Sequence, residues 1–174
     1  MTCPYCELIE KEDKNIIYED NLAVVMLAKE PAVKGHLIVI PRQHFQIMEQ
    51  IPDDLIGYLF LVANKVSSLV FETLGVQGTN ITVNNGVASG QNWAHFSINV
   101  IPRKENDGIN FDFKRSQADQ TALDDIVKKL KSETDFIGKE DKGNQKPETI
   151  KKEKSNQLDA DKEDYRLKQL RHIP

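Results

Sequence analysis

The chain has 174 residues, of which 39% are hydrophobic and 29% are charged, and this is enough apolar sequence for one folded core. Its formal net charge of -4 argues against a general nucleic-acid-binding protein, because such proteins carry basic surfaces. The sequence has neither an apolar run near the roughly 20 residues that cross a bilayer nor a basic and apolar leader, so we expect a cytoplasmic protein without a membrane partner.

Both cysteines lie near the start of the chain, in the motif Cys3-Pro-Tyr-Cys6. In a cytoplasmic chain this spacing indicates a metal site or a redox pair rather than a structural disulfide. Two thiolates are only half of a tetrahedral site. The motif alone therefore leaves three interpretations open: a metal site, a redox pair, or two reduced cysteines near a mobile terminus.

Three short apolar segments follow and predict strands. Residues 16–18 and 23–27 form a predicted hairpin, with Asp20 and Asn21 suited to the turn. Residues 35–41 end at Pro41 and are typical of a central strand. We interpret His36, in this apolar setting, as a hydrogen-bonded structural histidine, and Arg42 as a surface cation.

Residues 53–74 predict a long helix that serves as scaffold. Asp53 is suited to capping its first turn, and Gly75 is suited to ending it. The apolar residues that recur at three- and four-residue intervals, and so predict one buried stripe, are Leu55, Leu59, Val62, Val66 and Leu69.

A glycine-rich loop, residues 84–90, connects a predicted strand at 79–84 to an alternating segment at 95–101. In that segment Phe96, Ile98 and Val100 alternate with polar residues, which indicates a strand with one buried face. The loop can offer backbone N–H groups to an anion, because glycine permits the necessary conformations. A hairpin strand with a solvated side is the alternative interpretation.

Two sequence blocks in this order resemble the signature of the histidine triad (HIT) superfamily of nucleotide hydrolases and transferases. Residues 35–44 match the block Gly-His, four apolar residues, Pro, Lys or Arg, any residue, His. Gly90-Gln91, His95 and residues 100–103 match the block Gly-Gln, three alternating histidines, then Pro-Arg. The resemblance implies an α+β, HIT-like fold with an antiparallel five-stranded sheet, a long helix and a C-terminal helix, assembled as a homodimer.

Ser97 stands where the family has its middle, nucleophilic histidine, and Asn99 stands where it has the third. Ala28 stands where many members have a ribose-binding aspartate. A serine hydroxyl is a poor nucleophile without a base within hydrogen-bond reach, whereas imidazole is nucleophilic near neutral pH. We therefore expect a protein that binds a nucleotide or another phosphorylated small molecule and is non-catalytic or weakly active.

Two other functions stay open at this point. One is a slow nucleotide hydrolase or nucleotidyl transferase of altered mechanism that uses Ser97. The other is a protein-interaction scaffold that acts through the C-terminal tail. The resemblance also implies ligand sets: a structural zinc on Cys3, Cys6, His44 and His95, and a phosphate on Asn84, Gly90, Gln91, Asn92, Ser97 and Asn99. We predict that Trp93 is partly buried or at a dimer interface.

The C-terminal third changes in composition. Residues 111–113 predict a short strand, and residues 119–131 predict a helix with one apolar stripe. From residue 139 the chain is charged and polar, typical of a linker, before a sparse helical pattern at 158–173. We predict a HIT-like domain over 1–138 and a charged extension over 139–174, which either binds a protein partner or is a solvated tail.

Overall fold

A computed structural model describes residues 3–111, 114–135 and 137–138. The chain divides into two compact units, with residues 3–109 in the first and the remaining described residues in the second. Residues 112 and 113 of the predicted terminal strand, and the whole predicted extension from 139, lie outside the described residues. The predicted boundary between residues 138 and 139 therefore stays a prediction.

The first unit is built on a five-stranded antiparallel sheet, as predicted. Its strands lie in the order β1-β2-β3-β5-β4, so β1 and β4 are the two edges. Short 3₁₀ turns at Met48–Gln50 and Val87–Ser89 interrupt the loops. The elements are α1 Pro4–Glu10, β1 Ile16–Glu19, β2 Ala23–Leu27, β3 Leu37–Pro41, α2 Asp53–Leu74, β4 Gly78–Val83 and β5 Ile98–Arg103, and the second unit contains α3 Gln120–Ser132.

One face of the sheet packs against α2. Val39 of β3 and Val83 of β4 both pair with Ile98 of β5, so these three side chains lie on the same face. The main hydrophobic core lies between this face and the inner side of α2, and it includes the fully buried Phe96. The predicted long helix is therefore the scaffold of the domain.

Two details of α2 differ from the prediction. Leu69 is 47% exposed, because the inner side of the helix is formed by residues that include Ala63 and Val70, and Leu69 lies at its margin. The residue preceding the helix is Pro52, without a side-chain cap, so Asp53 contributes its charge to the first turn instead of capping it.

By length and composition α2 could also cross a membrane, a test that core helices of folded domains pass too.

The opposite face of the sheet is divided between an apolar half and a polar half. Ile38 and Thr82 both pair with Asn99, which places these three side chains on this face. On the side of β2 and β3, Leu8 and Ile9 of α1 cover a second apolar cluster that includes Ile38. The helix α1 is not among the predicted elements, because seven residues that begin with proline after an uncapped Cys3 give little helical signal.

The predicted strand at 95–101 begins later and ends later than expected. Ladder pairing of β5 starts at Ile98 and continues to Arg103. Before that point the Phe96 N–H donates to Phe45 O at 2.7 Å, and the His95 N–H donates to Trp93 O at 2.8 Å. These bonds take His95 and Phe96 out of the ladder while keeping their side chains on alternate faces.

The turn of the β1–β2 hairpin is attached to α2 through Asp20. Its carboxylate accepts hydrogen bonds from the hydroxyls of Tyr18 and Tyr58, at 2.6 and 2.5 Å, and from the N–H groups of Leu22 and Ala23, both at 2.7 Å. Partial burial opposes ionisation of Asp20, but these four bonds outweigh it and lower the pKa of Asp20 to about 2. Arg42, predicted as a surface cation, is paired with Glu19 at 2.6 Å beside this turn.

We predict that Asp20→Asn lowers the free energy of unfolding by about 1–2 kcal/mol at pH 7, because the tyrosine hydroxyls lose a charged acceptor. The folded-state pKa lies below the ordinary value, so this contribution is present above about pH 4 and disappears as the pH falls through 2. Urea unfolding at several pH values measures the difference between the two proteins. Glu72→Gln, on the exposed side of α2, is the control. A difference that stays unchanged from pH 7 to pH 2 would contradict the assignment.

Candidate functional site

Two cysteines and two histidines meet at one point of the first unit. Cys3 Sγ lies 3.3 Å from His95 Nδ1, and Cys6 Sγ lies 3.4 Å from His44 Nδ1 and 3.6 Å from His95 Nδ1. All four ligand atoms lie within 4.8 Å of one another. A tetrahedral ion bonded to sulfur at about 2.3 Å and to nitrogen at about 2.0 Å separates these atoms by about 3.5 Å. The cluster could therefore hold a metal ion.

The buried ring of His95 is oriented for this role by the end of β3. Its Nε2–H donates to Pro41 O at 3.0 Å, so the neutral ring carries its lone pair on Nδ1, which faces the two sulfur atoms. Burial lowers the pKa of His95, which favours the neutral ring that binds metals. The arrangement fits a metal ligand.

Three chain segments bring the four ligands together. Cys3 and Cys6 lie at the beginning of α1 and one turn into it, His44 follows β3, and His95 precedes β5. Both cysteines are free thiols. Burial, with a hydrogen bond that the Cys6 thiol donates to Cys3, raises the pKa of Cys6 to about 11, so binding of a metal ion by this thiol would release a proton.

The polar half of the sheet lies beside this cluster in sequence and shares its face. Phe96 and Ile98 both pack in the core against α2, so Ser97 between them points to the opposite face. Asn99 lies on that face through its pairs with Ile38 and Thr82, and His95 reaches the thiols of α1 there. Within the described residues, no group is hydrogen-bonded to the Ser97 hydroxyl, which is accessible to solvent. This hydroxyl can therefore donate to, or accept from, a bound molecule.

A chain of hydrogen bonds crosses the sheet next to Ser97. The N–H of Ala32 donates to His36 Nδ1 at 3.1 Å, so the proton of the neutral ring is on Nε2, which donates to Asn99 Oδ1 at 3.1 Å. The Asn99 amide then donates to Thr82 O at 3.4 Å. Burial lowers the pKa of His36, which keeps the ring neutral at pH 7. His36 is thus a hydrogen-bonded structural histidine, as predicted.

Gln91 holds the glycine-rich loop closed. Its Oε1 accepts from the Gly86 N–H at 2.7 Å, and its amide donates to Gln46 O at 2.7 Å and to Trp93 O at 2.8 Å. All of its polar hydrogens and its oxygen therefore have partners inside the protein. Gln91 therefore connects the glycine-rich loop to the loop that contains Gln46. The sequence alone did not indicate this structural role.

The other predicted phosphate-binding residues lie at the same loop. Asn84 donates to Gly90 O at 3.2 Å, and Gly90 has a φ of 85°, a conformation that favours glycine. Asn92 is exposed. Trp93 is exposed, at 46%, so partial burial within the chain was not the right prediction, and its place at a dimer interface stays a prediction. Val83 pairs with Ile98, so Asn84 follows β4 at the end of the sheet where Ser97 precedes β5. Contact of these residues with phosphate stays a prediction.

Comparison with known proteins identifies relatives of this architecture. The HIT domain family model matches residues 10–106. An uncharacterised HIT-like protein of Methanocaldococcus jannaschii is 33% identical over 130 residues, which cover 74% of this chain and 98% of the relative. The adenylylsulfatase HINT3 of Arabidopsis thaliana is 32% identical over 106 residues, which cover 60% of this chain and 54% of the relative.

Solved structures agree with the fold. A histidine triad nucleotide-binding protein of Candida albicans superposes with a TM-score of 0.67 at 25% identity, covering 76% of this chain and 96% of that one. A zinc-bound histidine triad family protein of Mycobacterium smegmatis superposes with a TM-score of 0.59 at 27% identity, covering 76% of this chain and 97% of that one. The sheet order, the two sequence blocks and these matches together establish that the chain belongs to the HIT domain family.

Proposed function

We propose that this protein binds a nucleotide through its phosphate and has lost the nucleophilic histidine of its family, so that it turns substrate over slowly or not at all. The observation that carries the proposal is the set of partners around Ser97. The hydroxyl has no described hydrogen-bond partner, whereas the imidazoles nearest to it in sequence and sheet register are already engaged. A free hydroxyl can bind phosphate, but without a base it is a poor nucleophile.

Neither of the two described imidazoles nearest to Ser97, those of His36 and His95, is available as a base, and the reason lies in their tautomers. In His36, one ring nitrogen accepts from Ala32 and the other donates to Asn99. In His95, Nε2 donates to Pro41 O while Nδ1 faces the two thiols. Neither ring keeps a lone pair for the Ser97 proton. Deprotonation of Ser97 would therefore require one of these hydrogen bonds, or a metal bond, to break first.

Three features support a nucleotide as the ligand. The chain belongs to a family whose relatives include a nucleotide-binding protein, and the adenylylsulfatase relative is named for a substrate that contains an adenylyl group. A glycine-rich loop lies before the polar strand, and backbone N–H groups of such loops bind phosphate. The Ser97 hydroxyl and the accessible Asn92 side chain add hydrogen-bonding groups at that end of the face.

We propose zinc as the ion on Cys3, Cys6, His44 and His95. The set of two sulfur and two nitrogen donors matches structural zinc sites, which leave no position open for water. The zinc-bound relative of Mycobacterium smegmatis supports this choice. Zinc would tie α1 to the ends of β3 and β5, and it would not take part in the chemistry of Ser97. Reduced cysteine ligands also suit a cytoplasmic protein.

We propose a homodimer that pairs along the edge strand β4 and the neighbouring side of α2. Ile81 on β4 is 41% exposed, on the same face of the sheet as α2. Ser67 of α2 is hydrogen-bonded to Thr79 of β4, and Phe60, two turns before Ser67 on the same side of the helix, is 42% exposed. This combination of an open edge strand and adjacent apolar side chains favours self-association.

The zinc proposal predicts one bound zinc per chain and a loss of stability when zinc is removed. The loss in the free energy of unfolding should be about 4 kcal/mol when free zinc exceeds its dissociation constant about 1,000-fold. Elemental analysis measures the zinc content, and thermal unfolding with and without a chelator measures the stability. Cys6→Ser should lose the ion, whereas His36→Gln, which removes a buried imidazole outside the cluster, should keep it. An unchanged zinc content in Cys6→Ser would refute the assignment.

The nucleotide proposal predicts that the protein binds adenosine monophosphate and that Ser97→Asp weakens binding at least about tenfold, because the new carboxylate repels the phosphate. Titration calorimetry measures both affinities. Ser68→Asp introduces the same charge on the outer side of α2, across the sheet from Ser97, and should leave the affinity unchanged. If the unaltered protein binds none of the common nucleoside monophosphates, the proposal fails.

Turnover of an adenosine phosphoramidate and of a dinucleoside polyphosphate distinguishes the binding protein from an enzyme. We expect the unaltered protein to be nearly silent in a chromatographic assay and Ser97→His to gain activity, because imidazole supplies the missing nucleophile. Activity of the unaltered protein that disappears in Ser97→Ala would instead establish the alternative, a hydrolase or transferase that uses Ser97.

A further inference from the structure

The second unit contains a helix with an exposed apolar side. Along α3 the four apolar residues of the predicted stripe lie at three- and four-residue intervals and share one side. Each is solvent-exposed, by 41% at Leu123, 53% at Ile126, 45% at Val127 and 63% at Leu130. Asp119 caps the first turn through the N–H of Ala122, so the helix has a defined beginning.

A helix of this length is marginal without a partner. Thirteen residues lie within the range in which isolated helices are only partly formed in water, and most helical stability in proteins comes from packing of the apolar side. The continuous stripe is therefore a surface that requires a partner, in contrast to single apolar residues scattered over a surface.

The charges of α3 are separated along its length. Asp124 and Asp125 lie in its first half, and Lys128, Lys129 and Lys131 lie in its second half. No salt bridge involves any of these side chains within the described parts of the chain. Asp124 and Lys131 are seven residues apart and lie on the same margin of the apolar stripe, too far apart to contact each other within one helix.

We propose that α3 packs antiparallel against α3 of a second copy of this chain. In that arrangement the acidic half of each helix lies against the basic half of the other. Asp124 lies about two residues, roughly 3 Å along the axis, from the level of Lys131 of the second copy, within reach of the long lysine side chain, and the two-fold axis makes this pair occur twice. A parallel pair would place like charges side by side, which is unfavourable. The charge pattern thus selects both the partner and the direction.

The spacing of the apolar residues is symmetric about a point between Ile126 and Val127. Leu123 precedes Ile126 by three residues and Leu130 follows Val127 by three, so the pattern is the same when the helix is reversed. A surface that is symmetric in this way can pair with itself, as an isologous interface requires. The proposed contact involves no residue of the nucleotide site or of the β4 edge. Its test is therefore independent of the nucleotide and homodimer proposals.

Disulfide crosslinking of the full-length chain tests the contact directly. Val127→Cys places a thiol next to the two-fold axis, and Asp125→Cys places one on the opposite side of the helix as the matched control. Under mild oxidation we expect Val127→Cys to form a covalent dimer at least about fivefold more than Asp125→Cys or the unaltered chain, which reports any background from Cys3 and Cys6. Equal dimer yields of the two folded variants would overturn the proposal. This is also the result expected if α3 packs on another partner or on its own chain.

The direction of packing is tested by mixing two variants. Leu123→Cys and Leu130→Cys should crosslink to each other far more than either crosslinks to itself, because antiparallel helices bring residue 123 to residue 130 of the other copy. Self-crosslinking of each variant without mixed dimers would establish a parallel pair and overturn the antiparallel one.

Charge reversal tests the role of the ion pairs. Combined with Val127→Cys, Asp124→Lys and Lys131→Asp should each lower the crosslinking yield at low salt, and the double variant should restore it. Residues 124 and 131 are not neighbours within one helix, so restoration requires contact between two copies. Failure of the double variant to recover would contradict the proposed pairing of these charges.

Discussion

The hydrogen bond from His95 Nε2 to Pro41 O determines the chemistry on this side of the molecule. It joins the end of β3 to the segment before β5 and fixes which ring nitrogen faces the sulfur atoms of Cys3 and Cys6. Because the acceptor is a main-chain carbonyl, the orientation does not depend on another side chain's rotamer. The helix α1, with Leu8 and Ile9 over the apolar half of the sheet, then brings the two thiols to the ring.

The two faces of the sheet have different roles: one packs in the main core, and the other displays polar side chains. The face against α2 contains the main core, which ends in the fully buried Phe96 and Ile98. The next residue on either side of Ile98 points the other way, so Ser97 and Asn99 are displayed on a rigid strand whose alternate residues are fixed by packing. The packing of Phe96 and Ile98 in the core therefore fixes the positions of Ser97 and Asn99, which alternate with them.

The sequence was sufficient to predict the five strands and the long helix, because these depend on periodicity. The family resemblance supplied the candidate ligands Cys3, Cys6, His44 and His95, whose ligand atoms the structure brings together. Prediction from the sequence failed where tertiary contacts outweigh local pattern. The bond from Phe96 to Phe45 delays the start of β5, and the short α1 forms with little propensity of its own. The partners of Asn99 and Gln91 were also beyond reach, since hydrogen bonds between residues 63 or 45 positions apart leave no local signal.

The amide of Asn99 satisfies a neighbour on each side of it in the sheet. It accepts from His36 and donates to Thr82 O, and a neutral imidazole, with one acceptor and one donor nitrogen, has the same pair of functions. An asparagine and a histidine are thus interchangeable in hydrogen-bond polarity at position 99, although not in size. The polar contacts on this face are consequently set by the order of donor and acceptor groups rather than by one particular residue type.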